Sequence, residues 1–238
     1  MIPRMLHQIW VGPQPEPTIF TDTWRRMCRR AGWEYRMWRE AEINAFGLEN
    51  RSLYERETRP QGMGNIARME ILKRHGGVYL DCDLAWTGTN WEEHLDLDHI
   101  SFMGTTEHLM PTAAQYEGIW QPLRPEDVQT AVFLGNSFIG AEPNHPIVAR
   151  LVANFAESSA RNPGRDSPDR TGCFLLSCSI DTPITLVPNK WIFPRGPQYF
   201  HLTLHDERYR PHPLFFARTA STRATRRVGA SGSGISDS

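Results

Sequence analysis

The stretch from Ile71 to Trp86, ILKRHGGVYLDCDLAW, decides how the rest of the chain reads. A basic, helix-like segment breaks at Gly76-Gly77, an apolar run Val78-Tyr79-Leu80 follows, and it ends in Asp81-Cys82-Asp83. The double glycine reads as a helix stop and turn from which a strand begins. Carboxylates two residues apart at the end of an apolar strand point to the same face. In an open α/β sheet, ligand chemistry collects outside the carboxyl ends of the strands. Two carboxylates held that close repel unless a cation sits between them, and hard oxygen donors suit Mg²⁺ or Mn²⁺. Such ions favour phosphate oxygens as remaining ligands, so the expected substrate carries a pyrophosphate. The plain alternative is a solvated turn; the apolar approach to the acidic pair argues against it.

Upstream, Met5 to Val11 (MLHQIWV) reads as a first strand, closed by Gly12-Pro13 and a Pro-rich loop to Pro17. Thr21 or Asp22 is expected to cap a helix running to about Ala31, ended by Gly32. Trp33 to Trp38 alternates in a strand-like way, and Glu40 to Phe46 reads as a short helix. Strand, helix and strand in succession open a parallel, nucleotide-binding type of sheet. Gly62 to His75 is the next predicted helix, with Ile66, Met69 and Leu72 near helical spacing, and Val78 to Leu80 the central strand.

Downstream, the pattern predicts a short helix at Trp91 to Leu95 and a strand near Ile100 to Met103. Residues 105 to 130 read as an irregular, substrate-facing insertion. Ala131 to Gly140 reads as a strand interrupted by Asn136-Ser137, and Pro146 to Ser159 as a helix begun by Asn144 or His145. Short strands are expected at Ile184 to Val187 and Trp191 to Phe193. From about Ala220 the chain turns to Ser, Gly, Thr and Arg, which reads as a disordered tail over 220–238 after one α/β domain spanning 1–219.

The 238 residues carry 26 basic and 27 acidic side chains, a net charge of −1, which argues against a nucleic-acid binder. Eight Trp and 18 Pro suggest aromatic-lined clefts of the kind sugars and nucleobases use, although core packing explains most tryptophans. Cys28, Cys82, Cys173 and Cys178 show no metal spacing, and a disulfide at Cys82 would disturb the acidic motif, so a reducing compartment is expected. No signal-like or membrane-spanning run is visible, which makes cytoplasmic the expected location. The stripe Arg25, Arg26, Arg29 and Arg30 beside Trp24 is ordinarily a solvated helix face. Its functional reading is peripheral contact with an anionic membrane surface or an acceptor.

Four segments together resemble the DXD-sugar-binding glycosyltransferases, the family of yeast-type initiating α-mannosyltransferases and capsular sugar transferases, distantly similar to glucosylating toxins. They are IPRMLHQIWVG, GNIARMEILKRHGGVYLDCD, FLGNSFIGAEPNHP, and TGCFLL at Thr171 to Leu176. The resemblance implies a GT-A type nucleotide-binding fold, a single mixed, mostly parallel sheet flanked by helices. It implies that Asp81 and Asp83 hold Mn²⁺ (or Mg²⁺) and the donor diphosphate. Trp10 matches an aromatic that stacks on the nucleotide base, with Ile9 and Val11 as backbone-contacting neighbours. Arg68 matches a basic residue reaching the donor sugar and phosphate, and Asn136 a polar position facing the sugar. Where the family usually has Asp, this chain has Asn65, which shares a helix face with Arg68. Tyr79 reads first as packing, with a hydroxyl able to reach a ligand. The C-terminal part departs from the pattern: His201, His205 and His212 occur, none followed by the family's Ser-Trp pair. Of the first two, His205 is favoured as a third metal ligand.

The resulting expectation is a metal-dependent, retaining hexosyltransferase using a UDP- or GDP-sugar donor. Its acceptor is a saccharide, a lipid-linked saccharide, a natural product or a protein. One alternative is a glycosyltransferase-fold binding protein with weakened catalysis, motivated by Asn65 and the altered C-terminal part. The other is a phosphatase with an Asp nucleophile, disfavoured by the motif's position and by Ala85.

Overall fold

The computed structural model describes residues 1–106, 134–164, 170–192 and 217–219. Strand β1 (Met5–Ile9), helix α1 (Thr18–Ala31) and strand β2 (Glu34–Trp38) form a first βαβ unit, with Ile9 opposite Trp38 in the parallel pair. Helices α2 (Glu40–Phe46), α3 (Arg51–Arg56) and α4 (Pro60–His75) lead to β3 (Gly77–Leu80), which pairs in parallel with β1 on its other side. Then come β4 (Leu84–Trp86), β5 (Phe102–Thr106), β6 (Leu134–Ala141), α5 (Pro146–Arg161), α6 (Cys173–Cys178), β7 (Thr185–Val187), α7 (Asn189–Ile192) and β8 (Ala217–Thr219). The main sheet runs β2-β1-β3-β6-β5-β7; β6 is antiparallel to both neighbours, and the remaining pairs are parallel. This is the mixed, mostly parallel sheet flanked by helices that was expected, with a two-stranded β4–β8 ribbon beside it.

Side-chain alternation sorts the sheet's two faces. Val78 and Leu80 join Trp24, Met27 and Cys28 of α1 in one core cluster. Tyr79 joins Ile66, Met69 and Leu72 of α4 and Val148 and Leu151 of α5 in the other. Helix α4 is buried from Gly64 to Leu72 without a break, because it lies between the sheet and α5. The chain leaves β1 toward β2 and returns through α4 to β3 on the opposite side of β1. The order of the sheet therefore reverses between β1 and β3, and in open α/β sheets ligands bind beyond the carboxyl ends at such a point. Trp10 and Asp81 are the residues that follow those ends.

Several boundaries differ from the pattern for local reasons. Helix α1 starts at Thr18, ahead of Thr21, whose buried hydroxyl donates to Glu16 Oε1 at 2.5 Å instead of capping. Helix α5 begins with His145 as its cap, the ring accepting from the Ile147 amide at 3.3 Å. The strand expected at Trp191 to Phe193 is instead the helical turn α7: Pro188 starts a helix, and its carbonyl takes the Trp191 amide at 2.8 Å. Helices α3 and α6 and strand β4 are too short for periodicity to reveal. Of the expected insertion, residues 105 and 106 belong to β5; residues 107–133 and the tail 220–238 lie outside the described residues. Among the described residues, no helix is long and apolar enough to cross a membrane.

A buried histidine locks the sheet's centre. The Trp38 indole donates to His7 Nδ1 at 3.0 Å, so Nε2 carries the proton and donates to the Gly76 carbonyl at 2.9 Å. Burial lowers the His7 pKa from 6.5 to about 3, so the ring stays neutral. That clamp brings β1 against the α4–β3 junction, where Gly77 has φ +92° and a Cβ would lie 2.5 Å from the Met5 carbonyl oxygen. Gly77→Ala is expected to cost about 3 kcal/mol from the left-handed backbone and the overlap together. Urea denaturation checks this; an unchanged midpoint contradicts it.

Candidate functional site

Alternation along β3 aims Tyr79 at α4, and Asp81 continues on that side. Arg68, projecting from α4, meets both: its Nη2 donates to the Tyr79 hydroxyl and to Asp81 Oδ1, each at 3.1 Å. The guanidinium carbon lies 4.1 Å from the centre of the Tyr79 ring. Tyr79 in turn donates its hydroxyl proton to Asp81 Oδ1 at 2.7 Å, and burial, first of all, holds that phenol well above its ordinary pKa. Arg68 Nη1 donates to the Asn136 carbonyl on β6. The Asn136 amide nitrogen donates to Asn65 Oδ1 at 2.8 Å, closing the chain back onto α4 three residues before Arg68. Arg68 is 5% exposed and its Nε is a buried donor with no hydrogen-bond partner among the described residues.

Asp83 reaches the site differently from the sequence argument. Strand β3 ends at Leu80, and the Leu84 amide donates to the Asp81 carbonyl at 3.2 Å, so a turn rather than strand alternation carries Asp83 around. The two acids still interact: burial, then the charge on Asp81, raises the Asp83 pKa from 3.8 to about 7. Among the described residues, Asp83 has no side-chain partner, and Arg68 and Tyr79 engage only Oδ1 of Asp81. The donor set is hard oxygen with a deficit of positive charge, which fits Mg²⁺ or Mn²⁺. No group of three or more His, Cys, Asp or Glu side chains able to hold a metal occurs among the described residues. His205, the expected third ligand, lies outside them.

Trp10 stands at the end of β1, half-buried, its amide donating to the Trp38 carbonyl at 3.0 Å and its ring nitrogen to the Gln14 carbonyl at 2.8 Å. Ile9 and Val11 bury their side chains in the core, so any contact they make with a ligand would come from their backbone. Two residues to which the pattern assigned no such role hold the acidic turn. Gln8, fully buried, accepts from the Tyr35 hydroxyl at 2.8 Å and donates to the Asp81 carbonyl at 3.3 Å. Cys82 donates its thiol to the Ile9 carbonyl at 3.2 Å, tying the turn to β1. The available signal was a glutamine inside an apolar strand, since a buried polar side chain needs partners.

Other features sit apart from this site. Arg25 of the basic stripe is engaged by Asp22 and Glu16, at 2.6 and 2.7 Å, whereas Arg26, Arg29 and Arg30 are exposed. A cavity of about 390 Å³ on the β2 edge, lined by Arg36, Trp38, Phe46 and His75 among others, contains none of the predicted site residues.

No protein-family model matches the chain. It is 25% identical over 209 residues to an uncharacterized glycosyltransferase of Acanthamoeba polyphaga mimivirus, covering 82% of this chain and 74% of that one. It is 24% identical over 169 residues to inositol phosphoceramide mannosyltransferase 1 of Schizosaccharomyces pombe, covering 67% of this chain and 44% of the yeast protein. The chain thus spans less than half the length of the second relative. Both are glycosyltransferases by name. Of solved structures, the PaToxG glycosyltransferase superposes with a TM-score of 0.47 at 14% identity, over 75% of this chain and 68% of that one.

The raised pKa of Asp83 fixes a sign. Between 3.8 and about 7 the folded chain holds a proton that the unfolded chain has released, so the acid pair costs stability as the pH rises through that window. A divalent cation competes with the same proton. Added Mn²⁺ is therefore expected to raise the melting temperature little at pH 5 and fully at pH 8. Thermal melts with and without the ion at both pH values check this; an equal shift at both contradicts it.

Proposed function

We propose that the chain is a metal-dependent, retaining glycosyltransferase of GT-A type that moves a hexose from a UDP- or GDP-sugar to an acceptor hydroxyl. The observation that carries this reading is the Arg68–Tyr79–Asp81 cluster, with the Asp83 carboxyl close enough for the Asp81 charge to raise its pKa, at the point where the sheet order reverses. Two distant relatives named as glycosyltransferases support the same class. Asp81 and Asp83 would hold a Mn²⁺ or Mg²⁺ ion, which when bound would supply Lewis-acid stabilisation of the leaving diphosphate. Arg68 adds a fixed positive charge beside those oxygens, already desolvated and oriented by Tyr79 and the Asn136 carbonyl. Trp10 offers a half-exposed indole on which a nucleobase stacks, so binding far from the reacting carbon orients it. Asn65 and Asn136 present amide groups to the sugar. His205 remains the candidate third ligand.

No side chain among the predicted site residues is placed as a covalent nucleophile. Attack on the same face as departure, with the diphosphate assisting removal of the acceptor proton, therefore fits the proposal. The acceptor is a saccharide, lipid-linked saccharide, natural product or protein. The exposed Arg26, Arg29 and Arg30 on α1 would favour an acceptor at an anionic membrane surface, with the enzyme peripheral and cytoplasmic.

The phosphatase alternative fits less well, because Asp81 Oδ1 accepts from both Arg68 and Tyr79 and is a poorer nucleophile for it. A binding protein with weakened catalysis is favoured only by Asn65, a neutral amide on α4 facing Asn136.

A screen of UDP- and GDP-sugars for slow hydrolysis in Mn²⁺ tests the proposal without knowledge of the acceptor. At least one donor is expected to be hydrolysed, and Asp83→Asn to lower that rate on the order of 100-fold. The anomer first released is expected to retain the donor configuration. Donor binding without turnover in any acceptor mixture, phosphate release from simple phosphoesters alone, or an inverted anomer would each contradict it.

A further inference from the structure

The loop that follows β1 begins just past Trp10, and its sequence leaves it few ways to hold itself. Residues 12–17 read Gly-Pro-Gln-Pro-Glu-Pro, and three of those six have no amide proton to donate. Pro13, Gln14 and Pro15 are exposed. Gly12 turns the chain with φ +99°, a conformation that favours glycine. Such a loop keeps one position only where other parts of the chain grip it.

The grip comes from three consecutive residues, Trp38, Arg39 and Glu40. The Trp38 carbonyl accepts the Trp10 amide at 3.0 Å. The Arg39 guanidinium donates to Glu16 Oε2, and Glu40 Oε1 accepts the Gly12 amide at 2.5 Å. Glu16 also reaches α1, its Oε1 accepting from Thr21 Oγ1 at 2.5 Å and from Arg25 Nη2 at 2.7 Å. The Glu16 side chain is only 9% exposed. Burial acts to raise the pKa of that carboxyl, but the Thr21 hydroxyl and the Arg25 and Arg39 guanidiniums together hold it below the ordinary carboxylate range.

This is more than the start of α1 requires. The first turn of that helix already closes on the Pro17 carbonyl, which takes the Phe20 and Thr21 amides at 2.9 and 3.2 Å. What the loop does hold is the indole. The Gln14 carbonyl, two residues before Glu16, accepts the Trp10 ring N–H at 2.8 Å, so the place of the loop sets how the ring is turned.

Resting on the glycosyltransferase reading, with Trp10 as its base platform, we infer that Glu16 is a positioning residue that sets the Trp10 indole for nucleobase stacking before the donor arrives. It acts through the loop rather than by contact with the donor. Its carboxylate fixes the loop, the Gln14 carbonyl fixes the ring, and the ordering of both is completed on folding rather than on binding.

Affinity for UDP and GDP in Mn²⁺ is to be measured by calorimetry for the wild type, Glu16→Gln, Arg39→Ala and Trp10→Ala, and for each loop variant combined with Trp10→Ala. Glu16→Gln is expected to weaken nucleotide binding on the order of tenfold, since loop and ring must then be ordered at binding. Arg39→Ala leaves Thr21 and Arg25 on Glu16 and is expected to give a smaller loss of the same kind; it carries the test if Glu16→Gln does not fold. In the Trp10→Ala background either change is expected to add less than about twofold. A carboxylate serving the fold alone would cost as much in one background as in the other. Nucleotide affinity unchanged in the loop variants, no loss in Trp10→Ala, or a full additional loss in the combined variants overturns the inference and leaves the glycosyltransferase reading intact. Failure of the wild type to bind either nucleotide overturns both.

Discussion

The site depends on a cation that cannot leave. Arg68 is almost wholly buried, and a buried guanidinium is tolerated only where its protons find acceptors. It finds the Asn136 carbonyl on β6, the Tyr79 hydroxyl on β3, and one oxygen of Asp81 beyond β3. Each acceptor comes from a different part of the central sheet, so the register of β3 against β6, Leu80 opposite Phe138, is a condition for the charge to be satisfied. The Asp81 amide donates to the Ser137 carbonyl at 2.9 Å and carries that register one residue beyond the strand.

The rest of the fold can be read as support for that arrangement. Helix α4 is buried from Gly64 to Leu72, which holds Arg68 inside the protein. His7 ties β1 and β2 to the α4–β3 junction, and Gln8 and Cys82 tie β1 to the acidic turn. Successive residues of β1 thus face opposite sides and hold the two ends of β3: His7 the α4 junction, Gln8 the acidic turn. What remains unbalanced is Asp83, a carboxylic acid held near Asp81 with its pKa moved to about 7. Among the described residues the acid pair has one compensating arginine, and that is the physical basis for proposing a divalent cation there.

How much of this was legible in the sequence follows from how local each interaction is. The double glycine, the apolar run and the acidic pair span sixteen consecutive residues, Ile71 to Trp86, and gave the strand, the helix before it and the acids at its end. Asn65 and Arg68 were linked by helical spacing alone. The partnership of Asn136 with Asn65 crosses 71 positions, and no periodicity connects them. The placement of Asp83 by a turn was hidden because an i, i+2 spacing looks the same in a strand and in the turn after it. Trp191 was misread as strand because an aromatic followed by Ile suits either state; Pro188, three residues earlier, was the deciding signal. Gln8 stood in plain view as a polar residue in an apolar strand, but which groups it would serve depended on β2 and β3 flanking β1.

The most direct test of the central claim is the affinity of the chain for UDP and GDP, measured by calorimetry in Mn²⁺ and again in excess chelator. If Asp81 and Asp83 hold an ion that holds the diphosphate, at least one nucleotide binds in the first condition and its affinity collapses in the second. Nucleotide affinity unchanged by the chelator, or no binding of either nucleotide in Mn²⁺, would contradict the account.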